Sequence, residues 1–230
     1  MAAPSATTTV PMASPMPTRD LSQDRLRLTQ ILSPAFPIGT FAHSQGLETA
    51  IAEGLVHDAD TLQQWIAMVL THGTGHMDTV FVSLARQASV PLDHLTDLYH
   101  AYCPSRERAQ EAGELGRGFH ALITAMGEPS PHLPYPLALG HAVRDLGVPT
   151  AEILGLWLQS MCAQLVSVAV RFMPMGQAQA QRILAALTPM IARIAATLSA
   201  ATPDDLDSFT PGADMAAMRH ETQEIRIFRT

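Results

Sequence analysis

Ten histidines in a chain of 230 residues invite a metal-binding reading, and the sharpest arrangement is His72, His76 and Asp78. Two imidazoles at i and i+4 share one helix face, and a nearby carboxylate could complete a site for a divalent cation. The intervening residues are Gly73, Thr74 and Gly75, so the glutamate that acts as base in a helical zinc hydrolase is missing. The competing reading, two polar histidines at a glycine-weakened kink, carries more weight. His43, His57, His94, His100, His120, His132, His141 and His220 are scattered and read as surface or hydrogen-bonded core residues. No P-loop, dinucleotide-binding glycine fingerprint, Gly-x-Ser-x-Gly elbow or Cys-x-x-Cys pair occurs. Asp204 and Asp205 lie in a polar loop that gives no reason for a shifted pKa. The chemistry-bearing residues thus point away from catalysis.

Stepping from those side chains to what must hold them, composition predicts helices. The chain is 47% hydrophobic with only 5% aromatic residues, so its apolar content is Ala, Leu, Ile, Val and Met, the mixture of a helical bundle. Its length fits one domain with one sizeable core. A formal charge of −7 and 14 unclustered Lys and Arg argue against a nucleic-acid partner. Cys103 and Cys162 read as reduced structural thiols of a cytoplasmic protein.

Residues 1–20, with Pro4, Pro11, Pro15 and Pro17 among Ala, Ser and Thr, are expected to form a disordered tail without the apolar core of a signal peptide. An all-α unit is expected over 21–202. Leu21, Leu28, Ile31 and Leu32 are expected near one face of its first helix; Asp60 caps a helix with Leu62, Trp65, Ile66, Val69 and Leu70 as its stripe. Gly73 and Gly75 predict a kink or two helices in series. Pro91 and Ser105 open two more, and Gly113, Gly116 and Gly118 in the second predict close helix-on-helix contact. Glu128 to Pro136 is a proline-rich break and candidate hinge. Thr150 is expected to cap the most apolar stretch, and Ile153–Val170 holds no charged residue, close to the roughly 18–20 residues that cross a bilayer. Gln159, Ser160, Gln164 and Ser167 recur within it, favouring a central buried helix over a membrane span. A final long helix after Gly176 is kinked by Pro189. Residues 203–230 form a separate closing segment with Ile227 and Phe228 as apolar anchors, either docked as a strand or ordered on a partner.

The stretch Leu32–Glu48, LSPAFPIGTFAHSQGLE, stands apart from this pattern. Pro34, Pro37, Gly39 and Gly46 shape a stiff connector, with Phe36 and Phe41 as apolar plugs. Ser44 is expected to cap the helix that follows, with Leu47, Ile51 and Leu55 on its buried face. This stretch resembles the signature loop of the urease accessory protein F family, a Pro-x-Gly-x-Phe run followed by Ser-x-Gly-Leu-Glu. AVRFMPMGQAQAQRIL is similar to that family's Arg followed by Pro-x-Gly-Gln, and MRHETQEIRIFRT to its Met-Arg-His-Glu run and Arg-x-Phe-Arg-like end. Three blocks in order cover about Leu21–Thr230. His43 stands where many members carry Tyr.

The resemblance implies a single-domain, all-α bundle of about ten helices and a non-catalytic chaperone in assembly of the nickel centre of urease. It implies a homodimer that binds the accessory H/D protein, recruits the accessory GTPase G, and with them docks on apo-urease. No cofactor or membrane contact is implied. Partner-binding roles carry over to Pro37, Gly39, Phe41, His43, Ser44, Gly46 and Glu48 in the loop. Arg171, Gly176 and Gln177 are expected to shape the helix junction beneath it. His220, Glu221, Arg226, Phe228 and Arg229 belong to a segment expected to order when the H/D protein binds.

Overall fold

The computed structural model describes residues 20–230, so the expectation of an N-terminal tail lies, but for Asp20, outside the described residues. Ten α-helices occur among them: α1 Leu21–Leu32, α2 Leu47–Ala52, α3 Ala59–His72, α4 Thr74–Gln87, α5 Leu92–Tyr102, α6 Arg106–Ala125, α7 Tyr135–Ala142, α8 Thr150–Phe172, α9 Gln177–Leu198 and α10 Pro211–His220. Short 3-10 turns span Thr40–Ala42 and Pro203–Asp205. The described residues hold no strand, as the composition predicts.

The core is built around α8. Its Ile153, Leu154, Trp157, Leu158, Met161 and Leu165 are buried, and α9 runs along it while α2, α3 and α4 pack across it. It is the one described helix long and apolar enough to cross a membrane, yet that apolar stripe faces its neighbours in the bundle. Its polar residues have employment of their own: Ser160 Oγ donates to the Leu32 carbonyl (3.3 Å), and Gln164 Nε2 to the carbonyls of Thr40 (2.8 Å) and His43 (3.1 Å). The central helix therefore holds the loop by its backbone.

Helix starts are set one or two residues away from several expected positions. Asp58, not Asp60, caps α3: its carboxylate accepts the Thr61 N–H at 2.8 Å, and the Thr61 hydroxyl returns to the cap. Pro149 occupies the cap position of α8, and Thr150 Oγ1 instead accepts from Arg86 Nε. That guanidinium also reaches the carbonyls of Val143, Leu146 and Val148, fixing the turn before α8. Ser105 caps α6 as expected. Pro189 lies inside α9.

Gly73 separates α3 from α4, so the weakened stretch resolves into two helices in series. Gly116 of α6 makes room for Leu133 and for the start of α7 at Tyr135, Gly118 for the Leu32–Glu48 loop, and Gly113 meets only Arg117 of its own helix. A Cβ on Gly116 would sit 2.0 Å from the Leu133 carbonyl, and one on Gly118 3.4 Å from Ile38. The proline-rich break thus lies tight on α6, with His120 Nδ1 2.7 Å from the Ser130 carbonyl.

Candidate functional site

The Leu32–Glu48 loop divides into an inner and an outer half. Phe36 is buried and begins a run of ring contacts, to Phe119 at 5.9 Å, on to Tyr135 at 5.5 Å and to Trp157 at 5.4 Å. Phe41 is no plug: it is 67% exposed. Gly39 and Gly46 both adopt left-handed backbone, at φ +91° and +79°, where an L side chain is strained. Nothing crowds Gly39, whereas a Cβ on Gly46 would lie 2.6 Å from the Ala217 amide of α10. Glycine at 46 is what lets α10 rest on the loop.

Ser44 does not cap α2. Gly46 holds the cap position, and the Ser44 N–H and Oγ–H both donate to the Thr230 carbonyl at 2.6 Å. Its helix also ends early, at Ala52, which leaves Leu55 half exposed. The chain segments around residues 44 and 230 are thus joined directly, and Arg229 N–H adds a bond to the Ala42 carbonyl at 2.8 Å.

Glu48 is the centre of this joint. Only 2% exposed, its carboxylate accepts the backbone N–H of Ile227 (2.7 Å) and Phe228 (3.0 Å) and lies 3.2 Å from His220 Nε2. His220, fully buried, places Nδ1 2.7 Å from Glu107, which Arg226 reaches at 2.6 Å. Glu221 accepts the Arg106 N–H at 2.9 Å, finishing the first turn of α6. Arg229 pairs with Glu114 at 3.0 Å.

A second layer lies beneath. Arg108 pairs with Asp78 and, at 3.1 Å, with Glu111; Glu111 accepts from Gln45 (3.1 Å) and Thr230 Oγ1 (3.0 Å), which meets His43 Nδ1 at 3.0 Å. Burial pushes the Asp78 carboxyl up, with Arg108 opposing. Burial likewise pushes the His43 imidazole below its ordinary value, against the pull of Glu111. His43 therefore acts here as a buried neutral ring rather than as a surface residue.

The outer half faces solvent. Pro34, Pro37 and Phe41 are exposed, and Arg171 joins them from the end of α8, donating to the Phe41 carbonyl at 3.2 Å and standing 5.5 Å over the Phe228 ring. Gly176 and Gln177 open α9 and are exposed. Phe228 is the buried anchor of the closing segment, packed on Phe172 at 5.6 Å; its expected companion Ile227 is instead 70% exposed, and Ile225 86%.

The metal arrangement loses its premise. His72 ends α3 and His76 begins α4, so they are not one turn apart on a single helix. Asp78 is committed to Arg108 and to the Tyr99 hydroxyl at 3.1 Å, and His76 Nε2 meets the Asp205 carbonyl at 3.0 Å. Among the described residues no group of three or more His, Cys, Asp or Glu is placed to hold a metal. Cys103 and Cys162 are free, and burial pushes their thiols up to about 11 and about 12, away from nucleophilic use.

Sequence reasoning passed over Glu107, Arg108 and Glu111. A signal was present: on α6 positions 108 and 111 continue the apolar row of Leu115 and Phe119, so charges on that row had to be paired inside.

With this geometry in place, comparison with known proteins is direct. The sequence model of the UreF family matches residues 56–188. A Cereibacter sphaeroides (strain ATCC 17029 / ATH 2.4.9) protein named Urease accessory protein UreF is 48% identical over 211 residues, 91% of this chain and 100% of its own. The Paracoccus denitrificans (strain Pd 1222) protein of that name is 48% identical over 207 residues, 90% of this chain and 96% of its own. One from Rhodopseudomonas palustris (strain BisB5) is 36% identical with 99% and 98% covered. The chain belongs to the UreF family.

Proposed function

We propose that this protein is a cytoplasmic urease accessory protein that performs no reaction itself and serves as a scaffold and chaperone for nickel insertion into urease. Its partners in this reading are the accessory H/D protein, the accessory GTPase G, apo-urease and a second copy of the chain. The observation that carries the proposal is the two-sided loop: an inner half locked by α8, Glu48 and the closing segment, and an outer half that leaves Pro34, Pro37, Phe41 and Arg171 facing solvent. A loop already held in shape loses little entropy on binding, so its exposed side chains can be used for affinity.

The closing segment supplies the conditional part. It is docked through the buried Phe228 and through polar bonds to Glu48 and Glu107, while Ile225 and Ile227 remain uncovered. The H/D protein covers that apolar rim and fixes the segment, and the GTPase then finds a completed surface. In this reading Arg226, paired to Glu107 and part exposed, links the two events.

The test is co-purification from cells carrying the other urease accessory components. The Phe41→Ala/Arg171→Ala double variant is expected to fold and to lose partner retention; Arg226→Ala is expected to keep the H/D protein and lose the GTPase. Wild-type yields of the full complex from both variants would refute the scaffold reading.

A further inference from the structure

We infer that the joint between the loop, α6 and α8 binds a resident internal water, held between Gln45, Arg108 and Trp157. Gln45 Oε1, Arg108 Nε and Trp157 Nε1 are buried atoms with no hydrogen-bond partner among the described residues. Arg108 is only 5% exposed and Trp157 4%. Buried polar groups in folded proteins are nearly all satisfied, so orphans gathered in one place call for a shared partner.

The three residues line a single cavity, which leaves about 30 Å3 for the centres of water-sized molecules. One internal water needs about 10–15 Å3 on that measure and two to four polar partners, and both conditions are met.

The chemistry of the lining selects the ligand. Trp157 Nε1–H and Arg108 Nε–H are donors that need an acceptor, and Gln45 Oε1 is an acceptor that needs a donor. Gln45 Nε2 already donates to Glu111 at 3.1 Å, so Oε1 is the end left for the cavity. A metal or alkali cation offers nothing to two N–H groups, one of them on a guanidinium. An anion would lie against Asp78 and Glu111, which line the same cavity. Water accepts two bonds and donates two, so it alone of these serves all three atoms.

The backbone at Gln45 agrees. Its φ of +55° is left-handed, a region that favours glycine, so a side chain kept there has a use that outweighs the strain. With Nε2 on Glu111 of α6 and Oε1 on a water shared with Trp157 of α8, that side chain ties the loop to both helices. Gln45 is thus a positioning residue for the inner half, and the site stands independently of any partner protein.

A crystal structure of the full chain at a resolution that shows ordered water tests this, with crystals grown in rubidium bromide so that a bound ion gives an anomalous signal. A water peak within about 3.2 Å of Trp157 Nε1, Arg108 Nε and Gln45 Oε1, without anomalous signal, is expected. An empty cavity, an ion in it, or side chains shifted so that the three atoms bond protein directly overturns the proposal. In solution, the Trp157 indole N–H is expected to give a cross-peak to long-lived water, assigned by its loss in Trp157→Phe. Gln45→Met is expected to lose that cross-peak while keeping the indole resonance. An indole that meets no long-lived water, or a cross-peak unchanged in Gln45→Met, overturns the assignment. Should the variant fail to fold, the wild-type crystal structure decides.

Discussion

The two halves of one seventeen-residue loop differ in what their side chains are for. From His43 to Glu48 nearly every polar atom with a role is turned inward and bonded to α6, α8 or the closing segment. From Pro34 to Phe41 the backbone is held from within by Gln164 and Phe36 while prolines and a phenylalanine ring stay outside. The lesson is a division of labour: shape is set by one half, and contact is left to the other. A change inside should show as lost stability, and a change outside as lost binding with stability retained.

The largest test of that contrast is Glu48→Ala. It strips a buried imidazole and two N–H groups of their acceptor at once, and should cost about 3 kcal/mol in urea unfolding, with loss of exchange protection at Ile227 and Phe228. Next comes a matched pair of glycines. Gly46→Ala combines a left-handed φ with a clash against the α10 backbone and should cost about 2 kcal/mol, whereas Gly39→Ala, left-handed but uncrowded, should cost about 1 kcal/mol. Equal losses in melting experiments would erase the inner–outer distinction at the backbone level.

A smaller effect separates the halves by pH. Burial holds the folded His43 ring below its ordinary value near 6.5, so the unfolded ring takes up a proton first. Its contribution is intact above that value and is lost as pH falls through it. His43→Asn should blunt this acid-side decline in a pH series of unfolding curves. The smallest stability change belongs to the outer half. Phe41→Ala should move unfolding by no more than about 0.5 kcal/mol while weakening partner retention, and a large destabilisation would mean that the ring is part of the core after all. Finally, equilibrium dialysis against zinc and nickel should give the same stoichiometry for the wild type and His72→Ala/His76→Ala.

Much of this was legible in the sequence because period and punctuation are local. The apolar rows of α3 and α8 and the breaks at Gly73, Pro91 and Ser105 all lie where spacing puts them. The loop stood out for its prolines and glycines. What could not be read was which residues meet across the chain: Glu48 and Phe228 are 180 positions apart, and Arg108 on α6 reaches Asp78 on α4 only once the bundle is assembled. For the same reason Ser44 looked like a helix cap, since the Thr230 carbonyl that claims it is nowhere near in sequence. For His72 and His76 the local signals sufficed: the i, i+4 spacing suggests a shared face, but the helix breaks at Gly73, as the glycines between them indicate.

The bond between Ser44 and Thr230, spanning 186 positions, has a consequence for when the molecule becomes competent. Such a contact closes late in folding, after the helices between its ends have assembled, because long-range pairing must await local order. A half-folded or truncated chain would carry the proline-glycine stretch but not its finished form. The contact therefore works as a built-in inspection step, withholding the outward-facing rings until the bundle beneath them is whole.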